Sequence, residues 1–391
     1  MQKKVLALAV AGLVSGAAFA QSNVTVYGVV DAGFVNSSGG RPAAQLGGGQ
    51  SNYSAIDSGL LAGSRIGFKG EEGLGNGLKA IFALEYYIAP DINGSVGTGP
   101  TATAAGGSGS NTRQSFVGLQ HAKFGTLSLG RQYAFGYGTQ VRNDAWGGAA
   151  VGALATANGA AQSTFVAGSN ARLSNSVVYA TPSFSGFSGV VGYAYGEQTS
   201  AAPNTSNGFG QGTNGVWTTG VNYANGPLNL DLGYQTRQNR NTAIFATATA
   251  GQTSTSAATG DSVNEWMVGG SYDFKVVKVF ATYQDMNDNN GTSAQEASNS
   301  QWSVGASVPV FGNGKIIGSY AKVDWDRTGA GSSYVYALGY THALSKRTTL
   351  YTAYNYANND RTVVNAAGMV GATRFQGESN STVTAGISHA F

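Results

Sequence analysis

The chain has 391 residues with no cysteine, 59 glycines, 20 tyrosines and 7 prolines; 10% of its residues are charged and its formal net charge is +3. The lack of thiols excludes disulfides, thiol lipidation and thiolate metal sites. The apolar share is 42%, yet no apolar run beyond the first twenty residues is long enough for a membrane-spanning helix, which excludes a helical membrane protein.

Residues 1–20 read MQKKVLALAVAGLVSGAAFA: a basic start at Lys3 and Lys4, an apolar core over 5–14, and a small-residue cleavage pattern at Ala18-Phe19-Ala20. This predicts an export signal, with the mature chain beginning near Gln21. A transmembrane anchor is disfavoured by the short apolar run and by the missing stop-transfer flank. Removing 1–20 takes away two lysines, leaving 20 basic against 19 acidic residues and a net charge of +1. The basicity therefore gives no argument for a nucleic-acid partner. Residues 21–391 are expected to form a single domain.

From Asn23, NVTVYGVVDAGFV alternates in the manner of a first strand, 23–35. In the next predicted strand, 59–70, Ser64, Ile66 and Phe68 share one face while Arg65, Gly67 and Lys69 share the other. The turn EEGLGNG leads to 78–88, where Ala80, Phe82, Leu84 and Tyr86 make an outward stripe and Lys79, Ala83 and Glu85 point inward. The rhythm predicts further strands at 113–123, 126–133, 171–180, 188–197, 216–225, 228–238, 262–273, 276–285, 300–309, 315–325, 334–343, 347–357 and 379–391, sixteen in all. Within 315–325, Lys322 and Asp324 are expected on the wet face and Ala321, Val323 and Trp325 on the greasy one.

Connections alternate between short (FG at 124–125, TPSFSGF, NGP, FGNG) and long and polar (36–58, 89–112, 134–170, 198–215, 239–261, 286–299, 358–378), with a modest one at 326–333. Such alternation predicts an all-β, transmembrane antiparallel β-barrel with tight periplasmic turns and long external loops. A β-helix would repeat at a fixed period, which is not seen, and a sandwich has no reason to segregate its loops by length. In hydrocarbon an unpaired backbone group costs several kcal/mol, so the sheet must close, and sixteen strands enclose water rather than a packed interior. The loop 134–170 is long, rich in Ala and Gly, and carries only Arg142 and Asp144 as charges. A short helix around 145–155 is conceivable there, although glycines weaken it. The last strand, STVTAGISHAF, puts Val383, Ala385, Ile387, His389 and Phe391 on one face and ends in an aromatic suited to the membrane interface.

Five separated blocks, SRIGFKGEEGLGNGLKAIFALE (64–85), FVGLQHAKFGTLSLGRQ (116–132), NSVVYATPSFSGF (175–187), YALGYTHALSKRTTLYTAY (336–354) and GISHAF (386–391), resemble the general diffusion porins of beta-proteobacterial outer membranes. The resemblance implies a sixteen-stranded barrel, a homotrimer, a third loop folded into the lumen, and passive passage of inorganic ions and small hydrophilic solutes across the outer membrane. It also implies lipid and lipopolysaccharide as neighbours. Carried onto matching positions, it makes Arg65, Arg131 and Arg172 members of a basic ladder at the pore constriction. Glu85 becomes their acidic counterpart and Asp144 the acidic edge of the third loop.

Period-two parity independently turns Arg65, Glu85 and Arg172 inward. Arg131 shares its parity with Leu127 and Leu129 and needs a bulge to enter the lumen. Three arginines against two carboxylates at the constriction predict a mild anion preference. Arg142 reads equally well as a loop-surface charge, and Lys69 as a wall charge. No catalytic residue, cofactor or metal is expected: the three histidines lie at short turns or the chain end, and HExxH, EF-type and phosphate-loop motifs are missing. A substrate-specific channel is the alternative, followed by a structural or adhesive barrel with a plugged lumen.

Overall fold

A wall with lipid on one side and water on the other demands period-two alternation and closure, and both are present. The computed structural model describes residues 23–39, 52–92, 96–97, 112–161, 163, 165, 171–195, 215–238, 262–288, 298–363, 368–369 and 377–391. The expected export signal, 1–20, lies outside them. The described strands are β1 (Asn23–Gly39), β2 (Asn52–Ser58), β3 (Arg65–Gly75), β4 (Leu78–Tyr87), β5 (Thr112–His121), β6 (Gly125–Tyr133), β7 (Arg172–Ala180), β8 (Phe187–Ala194) and β9 (Val216–Asn225). They continue as β10 (Leu228–Arg237), β11 (Val263–Asp273), β12 (Lys278–Asp288), β13 (Asn299–Val310), β14 (Gly314–Trp325), β15 (Ser332–Ala343), β16 (Thr348–Asn359) and β17 (Ser379–Ala390).

From β3 onward each strand pairs antiparallel with the next, and β1 closes the ring against β17, from Val29↔Ala390 to Gly39↔Asn380. Both β2 and β3 pair with β1, so seventeen segments fill sixteen wall positions. The second predicted strand, 59–70, thus needs correction. Pairing stops at Ser58↔Ala32 and resumes at Arg65↔Val29, so six residues of one strand pass two residues of β1. The amides of three of those six, Leu60, Leu61 and Ala62, donate instead to the side chain of Asp31.

Alternation sorts the two faces. Val117, Leu129, Leu232 and Leu338 are each at least half exposed, and Val24, Val26, Val191, Val221, Val383 and Ile387 lie on the same outer surface. Exposure of this many large apolar side chains around a whole barrel suits hydrocarbon and not water. The periplasmic turns are tight: Asn76 and Gly77, at φ 51° and 79°, form the two-residue hairpin joining β3 to β4.

The third loop contains α1 (Phe135–Asn143) and α2 (Ala153–Ala161), so the helix conceivable around 145–155 is met only over 153–155. Residues 144–152 between them are turns, with Gly147 and Gly148 at φ 63° and 78°. The loop lies inside the barrel against one side of the wall: α1 packs on β9 to β12, and α2 on β13 to β15. The alanines of α2 join Ala321, Val323, Trp325, Val335, Ala337, Ala353 and Ala357 in the principal apolar cluster.

That packing reverses the expected facing of β14. Ala321, Val323 and Trp325 look inward and are buried under the loop, while Lys322 and Asp324 pair at 2.6 Å on the outer side. The inner wall is greasy wherever the loop covers it. Amides stitch the edges: Asn355 Nδ2 donates to the Val151 carbonyl at 3.2 Å, Gln301 Nε2 to Asn158 Oδ1 at 2.8 Å, and Asn299 Nδ2 to the Ala161 carbonyl at 3.1 Å. Inner-wall glycines make room for the seat. A Cβ at Gly305 would stand 2.7 Å from Ala145 Cβ, and one at Gly339 would stand 2.7 Å from the Trp146 ring.

Candidate functional site at the lumen wall

Opposite the loop-covered side, β3 to β7 carry a polar cluster centred on Glu85, which period two turns inward from β4. Glu85 Oε1 accepts from Arg113 Nε at 2.7 Å and from the Tyr133 hydroxyl at 3.0 Å. Its Oε2 accepts from the Tyr27 hydroxyl at 3.0 Å, with Arg65 Nε 3.6 Å away. Arg65 also donates from NH1 to the Gly63 carbonyl at 2.9 Å. Three hydrogen-bond donors and the Arg65 guanidinium around one carboxylate fix its position, since charge-assisted hydrogen bonds are the strong ones.

Arg113 was not singled out in the sequence, yet it is the guanidinium held most tightly to Glu85. Strict alternation places it on the face of Ser115 and Val117, toward lipid. The register shifts between Glu85↔Gln114 and Tyr86↔Thr112, however, leaving Arg113 as the extra residue of a bulge. Bulges re-aim side chains, and this one turns Arg113 inward beneath the Tyr87 ring, 4.6 Å from its centroid. The signal available in sequence was the charge itself: a buried-side arginine at a strand start, on a face otherwise bound for hydrocarbon.

Arg172 opens β7 and is buried among aromatic rings, with centroids of Tyr133, Tyr87 and Tyr137 at 5.1, 5.3 and 5.8 Å. Its expected parity with Ser174 and Ser176 does not carry through, because the β6–β7 register shifts between Gly130↔Ser176 and Gln132↔Leu173. Arg131 sits at that same irregularity, next to Gly130 at φ 129°. Its Nε donates to the Thr112 carbonyl at 2.8 Å and its NH1 to the Ser174 hydroxyl, whereas the ion pairs of Glu85 are with Arg65 and Arg113. Of the three arginines named from sequence, Arg65 and Arg172 therefore join the cluster around Glu85, Tyr87 and Tyr133, and Arg113 stands where Arg131 was expected.

Asp144 closes the turn after α1 and is buried. Backbone amides of Ala145, Trp146 and Gly148 donate to its carboxylate, the last at 2.8 Å. No ion pair joins it to Arg65, Arg131 or Arg172. Burial without a paired cation pushes its pKa up to about 6, against the pull of those amides. It lines a cavity of about 500 Å³ together with Arg142, Lys278 and Lys315.

Arg142 is a structural clamp rather than a loop-surface charge. Its Nε and NH2 reach the two oxygens of Asp231 on β10 at 3.0 and 2.6 Å. Asn143, Asn222 and Asn229 also donate to Asp231, which is fully buried. Among the described residues, no group of three metal-ligating side chains could hold an ion.

A family model described as Gram-negative porin matches residues 7–362. The chain is 31% identical to an outer membrane porin protein of Bordetella pertussis, over 92% of this chain and 95% of that one. It is 32% identical to outer membrane porin protein 32 of Delftia acidovorans, over the whole of both. Among solved structures, an anion-selective porin from Comamonas acidovorans superposes with a TM-score of 0.71 at 28% identity, covering 95% of this chain and 100% of that one.

Proposed function

This chain belongs to the Gram-negative porin family, and we propose that its channel favours anions mildly, through the wall where Arg65, Arg113 and Arg172 gather around Glu85. As a porin it is a non-enzymatic passive channel of the outer membrane, open to ions and small solutes. Three guanidinium groups to one carboxylate is the observation that carries the selectivity. At an effective dielectric of about 20, one unit charge 5 Å from a permeating ion is worth about 3 kcal/mol, and in bulk water less than about 1. Mobile ions screen exposed charges within about 8 Å at physiological salt. The preference is therefore mild, and only Arg65, about a quarter exposed, meets the lumen water freely.

Arg65, Glu85 and Arg172 act at the constriction as the sequence suggested, with Arg113 added. Arg131 supports the strand start from the β6–β7 bulge, and Asp144 supplies the acidic edge of the third loop toward the cavity it lines rather than toward the arginines. Residues 1–20 direct export, and 21–391 form the barrel, which assembles as a homotrimer. The relative from Comamonas acidovorans, described as anion-selective, supports the sign of the preference. Recording single channels in a planar bilayer under a KCl gradient tests it. The expected reversal potential lies on the chloride side; one on the potassium side refutes the preference, and a bilayer that stays closed refutes the pore.

A further inference from the structure

The most demanding buried group outside the constriction is Asp31 of β1, whose side chain is inaccessible to solvent. The amides of Leu60 and Leu61 donate to Oδ1 at 2.8 and 3.3 Å, and that of Ala62 to Oδ2 at 3.3 Å. The Tyr351 hydroxyl donates to Oδ1 at 3.1 Å, and the Ser388 side chain is a further hydrogen-bond partner. Around it, Ser64 Oγ both accepts from the Asp31 amide and donates to the Asp31 carbonyl, each at 2.9 Å. Three consecutive amides converging on one carboxylate cannot also serve the barrel ladder.

Three contacts then run outward from the displaced segment. The Leu60 carbonyl accepts from the Val151 amide at 3.2 Å, fixing the elbow between α1 and α2. The Leu60 side chain, almost fully buried, packs in one apolar cluster with Trp146, Ala149 and Val151. On the other side, the Gly63 carbonyl holds Arg65, and the Gly63 Cα lies so close to Arg113 that an added Cβ would stand 2.8 Å from its NH1.

We propose that Asp31 is the positioning residue of the constriction: it shapes the break at 59–64, and the break places the third loop and the arginine wall relative to each other. The proposal rests on the channel reading above. A carboxylate is required because an asparagine in the same volume offers a single oxygen and turns an N–H pair toward amides that are themselves donors. With the break relaxed, the loop elbow loses its seat at Leu60 and Arg65 loses its carbonyl partner.

Asp31→Asn and Tyr351→Phe channels, purified as folded barrels, can be compared with the parent in planar bilayers under a KCl gradient. Expected for Asp31→Asn are a higher and broader distribution of single-channel conductance and a reversal potential closer to zero. Tyr351→Phe, which removes one donor and leaves the three backbone amides, shifts both the same way by less. If Asp31→Asn does not fold, Tyr351→Phe alone decides. Folded variants with the parent's conductance distribution and reversal potential would overturn the proposal, even if their yield fell, because a purely structural residue changes yield alone. A parent that conducts nothing would instead refute the channel reading.

Discussion

Lowering the pH from 7.5 to 5 should protonate Asp144 selectively among the groups lining its cavity. Among the described residues, no second carboxylate lines the cavity. In the fold the pKa stands near 6, against an ordinary value of 3.8. The native state consequently holds a proton that the unfolded chain has already released between about pH 4 and 6. Stability from this group is complete below pH 4 and is lost as pH rises through 6. A shift of about two pK units corresponds to about 3 kcal/mol at pH 7.

Asp144→Asn should recover part of that amount at pH 7.5 and none at pH 4. The recovery is partial because a single amide oxygen must serve three backbone donors. Thermal unfolding of the detergent-solubilised barrel at several pH values measures it. Conductance supplies the second reading: the parent should grow more anion-preferring as pH falls through 6, and the variant should not show that component. Parent and variant with identical pH profiles in both assays would refute the burial argument.

Two further perturbations address the loop seat and the polar cluster. Gly305→Val should press on Ala145 and push the loop elbow into the lumen, lowering single-channel conductance, whereas Gly318→Ala on the outer face, where an added Cβ meets only Leu338 at 3.8 Å, should leave it unchanged. Arg113→Met should destabilise the barrel by about 3 kcal/mol, the low end for breaking a buried ion pair, because Arg65 and two tyrosines still hold Glu85. Combining it with Glu85→Gln should restore much of the loss in denaturant or thermal unfolding, a coupling that independent residues would not show.

Period two and the alternation of loop lengths carried the barrel, its strand count and the inward facing of Arg65 and Glu85, because those features depend on nothing beyond the nearest neighbours of each strand. What escaped depends on single-residue irregularities and on what covers the wall. One extra residue in β5 turns Arg113 around, and parity has no means to foresee it. The facing of Lys322 and Asp324 failed for a different reason: the rule that charge points to water presumes an open lumen there, and the third loop fills it. The break at 59–64 escaped because the side chain its amides bind, Asp31, sits some thirty positions earlier, beyond the reach of a local pattern.

Ring closure has a kinetic consequence. Every neighbouring pair from β3 to β17 joins segments near each other in sequence, but the last seam joins Val29 to Ala390. Contacts between such distant parts of a chain form late, since the entropy of bringing them together is spent before they return anything. Until then β1 and β17 are both open edges, able to pair with any other exposed strand. A hairpin-by-hairpin wall with one long-range seam therefore folds as a curved sheet first and becomes a pore in its final step, so conductance should appear only after most of the β-structure has formed.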